Sequence, residues 1–248
     1  MKNILIIAHR GASAIAPENT MVAFKKAVQE GADMIELDVH QSKDGVVLCI
    51  HDQDLSRTTT GKGNISDFTF DELQSFDAGV KFSEEFKGEL IPSLESVLQE
   101  IKIPLLIEIK NPTGYYPGIE QNIINLLLKY NAIDKCIIQS FESSILIKIR
   151  ELNDKVELHK LVLGNLPILP LHIDNKIKSG KIIKYIDFNA INPNFKFLTE
   201  SLVMEIQGKG KKIFTWTVND ESDMLKMISY NVDGIITNHP NRLLRLLK

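Results

Sequence analysis

The sequence predicts an α/β protein, a (β/α)₈ barrel, on three observations. Short runs rich in Ile, Leu and Val alternate with amphipathic helical patterns along the chain, which argues for βα units on a parallel sheet. The 248 residues match the ordinary length of such a barrel. Of nine strand-like runs, one is joined to its predecessor by too few residues for a crossover, which leaves eight to close the barrel.

Taken in order, the strand candidates are 4–8 (ILIIA), 33–39 (DMIELDV), 46–51 (VVLCIH), 104–110 (PLLIEIK) and 135–141 (KCIIQSF). They continue with 157–163 (ELHKLVL), 187–192 (DFNAIN), 211–218 (KKIFTWTV) and 234–237 (GIIT). Helical patterns at 20–30, 93–101, 119–130, 143–152, 199–207 and 221–229 fill the gaps, with Gly31 and Gly208 expected as C-terminal caps of the first and fifth. Between 39 and 46 lies only HQSKDG, and a crossover needs about a dozen residues. Asp44-Gly45 is a two-residue hairpin signal, so 46–51 is expected to fold back antiparallel on the second strand. With those two residues as the turn, Asp38 would face His51 directly. The polar stretch from Asp52 to about Ile91 has one short helical pattern and reads as an insertion over one barrel mouth. The whole chain, 1–248, is expected to be a single barrel domain.

Composition narrows the function. Hydrophobic residues make up 44% and charged residues 25%, and 29 basic against 32 acidic residues give a net charge of −3. No basic field suits nucleic acid; the KGKK run at 209–212 reads as a solvated helix end. Cys49 and Cys136 each sit inside an apolar run, as buried side chains rather than a disulfide or metal pair. The N-terminal apolar run is too short for a signal peptide, and none approaches the roughly 20 residues of a membrane span. The expected location is cytoplasmic.

The strand ends carry the chemistry. Glu36 and Asp38 are two apart on one strand, so both carboxylates point the same way. Glu108 and Lys110 repeat the pattern on the next parallel strand, His9 ends the first strand, and His51 ends the hairpin arm. Each alone would pass as surface charge or a strand-end residue. Together they fall at C-terminal strand ends, where barrel enzymes place their reacting groups. Three carboxylates make a hard oxygen site suited to Mg²⁺ or Ca²⁺. That leaves both histidines for proton transfer, and Arg10 and Lys110 to meet an anionic phosphate ester.

These residues also resemble a known family. HRG at 9–11, PENT at 17–20, ELDVHQSKDGVVLCIHD at 36–52, IPSLESVL at 91–98 and IEIKN at 107–111 are similar to the glycerophosphodiester phosphodiesterase family. IIQSF at 137–141, TWTVN at 215–219 and VDGIITNHP at 232–240 extend the match in order along the chain. The resemblance implies a (β/α)₈ barrel with an insertion after the second histidine. It implies hydrolysis of glycerophosphodiesters, small-molecule substrates, to sn-glycerol 3-phosphate and an alcohol, with one divalent cation. Residue by residue, it places the metal on Glu36, Asp38 and Glu108, and catalysis on His9 and His51. It places phosphate binding on Arg10 and Lys110, and a pocket wall on Trp216. Attack by the glycerol 2-hydroxyl through a cyclic phosphate and direct attack by water would use the same residues. Asn238 stands where an aspartate is common in the family. In PENT, Pro17 reads as a first-turn proline and Asn19 as a helix cap, while Glu18 is placed near the site with two readings open, a contact with the site and, the safer one, helix initiation.

Other readings account for less. A lysophospholipase D acting on lysolipids would want an apolar rim, which the 52–91 stretch does not supply. A catalytically dead barrel would have no need to keep every acid and histidine, and a sugar-phosphate isomerase barrel has no use for three convergent acids.

Overall fold

A computed structural model describes residues 4–110, 114–165, 171–174 and 176–248. Asn111, the last residue of the IEIKN motif, and the first three residues of the N-terminal run lie outside them. In chain order the elements are β1 (Leu5–His9), α1 (Met21–Gln29), β2 (Met34–Gln41), β3 (Val47–Cys49), α2 (Phe70–Leu73), α3 (Leu94–Glu100), β4 (Leu105–Ile109), α4 (Ile119–Lys129), β5 (Cys136–Ser140) and α5 (Ser143–Leu152). There follow β6 (Glu157–Val162), β7 (Gly164–Asn165), β8 (Leu171–Ile173), β9 (Ile177–Ser179), β10 (Ala190–Pro193), α6 (Glu200–Gln207), β11 (Phe214–Thr215), α7 (Glu221–Ser229), β12 (Gly234–Thr237) and α8 (Pro240–Leu247).

The parallel strands run β10-β6-β5-β4-β2-β1-β12-β11, with β3 added antiparallel to β2. Parallel bridges Ala190–Lys212 and Asn194–Trp216 bring β10 against β11, so the sheet nearly closes on itself. All eight expected barrel strands are present. Side chains alternate along them. Ile7, Met34, Leu106, Ile137, Phe214 and Ile236 form one small cluster inside the barrel, while the large cluster with Ile35, Leu37, Ile107 and Leu158 packs against the helices. No helix among the described residues is long and apolar enough to cross a membrane.

Two expectations change. The β2–β3 register pairs Val39 with Cys49 and Gln41 with Val47, one residue off the expected alignment. Ser42 N–H donates to the Val46 carbonyl at 3.0 Å, so the loop holds Lys43, Asp44 and Gly45, with Gly45 at φ +87°. A three-residue hairpin with a left-handed glycine shifts every pair by one. Asp38 therefore faces Ile50, whose N–H donates to its carbonyl at 3.1 Å, and His51 lies just beyond the ladder. Second, among the described residues no α-helix joins β6 to β10. The three-stranded antiparallel sheet β7-β8-β9 and a 3₁₀ turn at Ile182–Tyr185 take its place; neither this sheet nor α8 has a counterpart among the elements read from the sequence. Both expected glycine caps are found, Gly31 after α1 in left-handed backbone at φ +83° and Gly208 at the end of α6 in right-handed backbone.

The insertion has a core of its own. Leu55, Ile65, Leu73, Ala78 and Ile91 bury themselves with Leu48 and Ile50, and Phe68, Phe70 and Phe76 pack around them. Its Phe86 packs on Ala16 and Ala23 at the start of α1, which seats the insertion beside the β1–α1 loop.

Candidate active site

The C-terminal ends of β1, β2 and β4 set the site because register fixes their heights. His9 pairs with Glu36, and Asp38 pairs with Glu108. Parallel partners point to the same side, so the three acids converge. One oxygen from each of Glu36, Asp38 and Glu108 lies within 4.8 Å of the others, and all three are buried. Glu36 and Glu108 are pushed above the ordinary carboxylate range, first by burial, with Asp38 adding repulsion to both. Asp38 goes the other way. Burial would raise it, but Lys110 and Arg10 hold its carboxyl well below the usual range.

Arg10 Nε approaches Asp38 Oδ2 at 3.1 Å and Lys110 Nζ approaches Asp38 Oδ1 at 3.3 Å. Both pairs are close enough for charge attraction but poorly angled, and Asp38 Oδ1 and Arg10 Nε remain buried without a hydrogen bond. A buried carboxylate oxygen left without a donor is costly. Together with two further acids and no thiol or imidazole between them, it is what a divalent cation with hard oxygen ligands would satisfy. The residues present fit such an ion.

His9 and His51 are each fixed at Nδ1. His9 Nδ1 lies 2.7 Å from Asn238 Oδ1. A side-chain carbonyl can only accept, so Nδ1 carries the proton and Nε2 keeps its lone pair. Burial, with Arg10 adding to it, lowers the His9 pKa to about 4, and the ring is neutral at pH 7. His51 Nδ1 lies 2.6 Å from Asp52 Oδ1, and the His51 carbonyl accepts from His40 Nε2 at 2.9 Å. His40 is itself 2.8 Å from the Tyr116 hydroxyl.

The β1–α1 loop supplies the rest. Arg10 has φ +57° and Gly11 φ +81°. A Cβ on Gly11 would lie 2.6 Å from the backbone carbon of Ala23, so only glycine lets the chain turn against α1. PENT works differently from expectation. Thr20, not Asn19, caps α1, accepting from Ala23 N–H, and Pro17 lies ahead of the helix. Asn19 instead grips Asp38: its Nδ2 donates to Oδ2 at 2.9 Å, and its Oδ1 accepts from Asp38 N–H at 3.2 Å. Glu18 accepts from Arg10 Nη1 at 2.9 Å and from both terminal nitrogens of Arg57, at 2.9 and 2.7 Å.

Seven of the eight residues singled out in the sequence, His9, Arg10, Glu36, His51, Glu108, Lys110 and Trp216, line one cavity of about 160 Å³. Asp38 lies beneath them, held by Arg10 and Lys110. Trp216 packs edge-on against Phe141 and donates its Nε1–H to the Asn192 carbonyl at 2.8 Å. A larger depression of about 550 Å³ lies elsewhere, around Leu128, Arg150 and Asp154, but gathers no such set of acids and histidines. Sequence reasoning passed over Gln139, whose amide donates to Glu36 Oε1 at 3.2 Å and whose oxygen accepts from Asn192 at 3.0 Å. The signal was available, since Gln139 is the polar residue of β5 level with Glu108.

The chain as a whole is similar to known proteins. The model of the "Glycerophosphoryl diester phosphodiesterase family" matches residues 9–242. A glycerophosphodiester phosphodiesterase of Caldanaerobacter subterraneus subsp. tengcongensis is 38% identical, covering 98% of both chains. One from Bacillus altitudinis is 35% identical over 97% of both. Among solved structures, an Oleispira antarctica phosphodiesterase in complex with the product sn-glycerol-3-phosphate superposes with a TM-score of 0.87 at 27% identity, covering 98% of this chain and 96% of that one. A glycerophosphodiester phosphodiesterase of Thermotoga maritima does so at 0.76 and 26%, over 99% and 100%.

Proposed function

The chain belongs to the glycerophosphoryl diester phosphodiesterase family, and from that premise we propose that it hydrolyses glycerophosphodiesters to sn-glycerol 3-phosphate and an alcohol. The observation that carries the proposal is the single cavity in which two histidines, two cations and an acidic cluster meet. Glu36, Asp38 and Glu108 would hold one divalent cation, Mg²⁺ or Ca²⁺, which when bound supplies positive charge to the phosphoryl oxygens. Arg10 and Lys110 bind the phosphodiester and offset the charge that builds on it as the new P–O bond forms. His9, neutral and with Nε2 free of its proton, takes the proton of the attacking oxygen, either water's or that of the glycerol 2-hydroxyl; the cyclic phosphate formed by the second route is then opened by water to glycerol 3-phosphate. His51, its ring fixed by Asp52, gives a proton to the departing alkoxide as the old P–O bond breaks. Trp216 and Phe141 form an apolar wall for the carbon skeleton of the substrate.

The test is release of glycerol 3-phosphate from glycerophosphocholine, -ethanolamine, -glycerol and -inositol. Activity on at least one is expected, lost in EDTA and restored by Mg²⁺ or Ca²⁺. Turnover that survives exhaustive chelation would remove the cation from the proposal, and no release from any diester would remove the activity.

A further inference from the structure

Arg57 was no part of the sequence-level site, yet it touches both halves of it. Its Nη1 and Nη2 donate to the two oxygens of Glu18 at 2.9 and 2.7 Å, and its Nε donates to Asp52 Oδ2. Glu18 in turn accepts from Arg10 Nη1 at 2.9 Å, and Asp52 accepts from His51 Nδ1 at 2.6 Å. We propose that Arg57 is a positioning residue for the reaction, one guanidinium of the insertion holding both the carboxylate that orients Arg10 and the carboxylate that orients His51. The proposal rests on the phosphodiesterase reading and gives the insertion a function within it.

The geometry favours positioning over stability. Arg57 is 47% exposed, and ion pairs open to water add little to stability. Only arginine has three N–H directions fixed in one plane, so it can span two carboxylates without choosing between them. The backbone beneath it is pinned. Leu55 and Thr59 are fully buried, Thr59 N–H donates to the Leu55 carbonyl at 3.0 Å, and the Thr59 hydroxyl donates to the same carbonyl at 2.8 Å. The insertion does not depend on Arg57 for its seat, because Phe86 stays packed on Ala16 and Ala23. Removing the guanidinium should therefore free two side chains at the site while leaving the fold intact.

The experiment compares kcat, KM and melting temperature of the full chain with those of Arg57→Met, Arg57→Lys, and Lys81→Met as a control. Lys81 bears a charge on the same insertion and, among the described residues, donates to the Ser56 carbonyl rather than to a carboxylate of the site. Arg57→Met should lower kcat about 10- to 100-fold, the usual cost of losing a residue that orients an active-site group, with melting temperature unchanged. Arg57→Lys should recover part of the loss, and Lys81→Met should match wild type. Adding Glu18→Gln to Arg57→Met should cost less than Glu18→Gln costs in wild type, because the two act as one unit. Wild-type kcat in Arg57→Met would overturn the proposal. So would a loss shared by Lys81→Met, a loss that tracks a fallen melting temperature, or a fully additive double variant. An inactive wild-type protein would overturn the phosphodiesterase reading itself, whereas active wild type with equally active Arg57 variants overturns only this inference.

Discussion

At Lys160 the barrel buries an ammonium surrounded by acceptors, whereas at Asp38 it buries a carboxylate beside two others. Lys160, on β6 and fully buried, donates to the carbonyls of Phe141 and Leu161 at 2.6 and 2.7 Å and lies 3.6 Å from Asp174. Asp174 also receives Lys178 at 2.9 Å and the Tyr185 hydroxyl at 2.9 Å. Burial lowers the Lys160 pKa to about 8, with Asp174 opposing the fall. The acids of β2 and β4 have the opposite arrangement. Three carboxylates share two cations, Asp38 keeps an oxygen without a donor, and Glu36 and Glu108 resist ionisation. Both clusters are buried charge, but the first is satisfied by the chain's own groups and the second is left with an oxygen that they do not satisfy. Unspent electrostatic tension of that kind marks a binding site more reliably than burial or charge does.

Substitutions can break this contrast. The largest difference is expected between His9→Ala or His51→Ala and Lys160→Met. Each histidine variant should lose at least ~10²-fold in kcat with little change in stability. Lys160→Met should cost about 3 kcal/mol by leaving a buried charge network short of a member, read as a lower urea midpoint, with kcat of the same order as wild type. Near-wild-type turnover from either histidine variant would end the two-histidine mechanism, and an unshifted midpoint would end the structural role of Lys160.

A subtler difference concerns Glu36→Gln. Because the Glu36 pKa is raised, folding favours its protonated form; that stability is present at low pH and is lost as pH rises through the raised value. In EDTA at pH 7 the variant should melt about 2–4 °C above wild type, a gain that shrinks as pH falls into the ordinary carboxylate range. With Mg²⁺ or Ca²⁺ the order should reverse, since the wild type alone keeps its full ligand set. A variant less stable than wild type in EDTA would mean that the acids are not in tension.

The smallest effect tests Asn238. Replacing it with Asp sets a carboxylate at the oxygen now 2.7 Å from His9 Nδ1 and raises the His9 pKa from about 4. A base works only when deprotonated, so the acid limb of kcat/KM should move up by about 1 pH unit or more. An unmoved limb would show that His9 is not the group titrating there.

Much of this was legible in the chain. Ile/Leu/Val runs separated by helical patterns gave all eight barrel strands, because a sheet covered on both faces needs continuous apolar strands. Acids two apart on a strand must share a face, so the pairing of Glu36 with Asp38 followed from spacing. Glu108 was legible as the acid at the same end of another parallel strand, while the register that sets it beside Asp38 was decided by the sheet. The hairpin register did not follow from spacing, because Asp44-Gly45 serves a two-residue turn and a three-residue turn equally well. Nor did the β7-β8-β9 sheet, whose strands of two or three residues are too short to show a period. The partners of Glu18 and Asn19 stayed hidden for a related reason. Asn and Thr are both good caps, and only the fold shows that Thr20 does the capping while Asn19, at φ +56°, is turned onto Asp38.

By itself, then, the sequence determined the barrel, the acids, the histidines and the two cations beside them, since each follows from local periodicity or from residue type at a strand end. Only the tertiary structure decided what holds them: Asn238 on His9, Asp52 on His51, Asn19 on Asp38, and Arg57 across Glu18 and Asp52. Side-chain partners from loops have no period, and the distance between Arg57 and Glu18 exists only once the insertion has folded back over the barrel mouth.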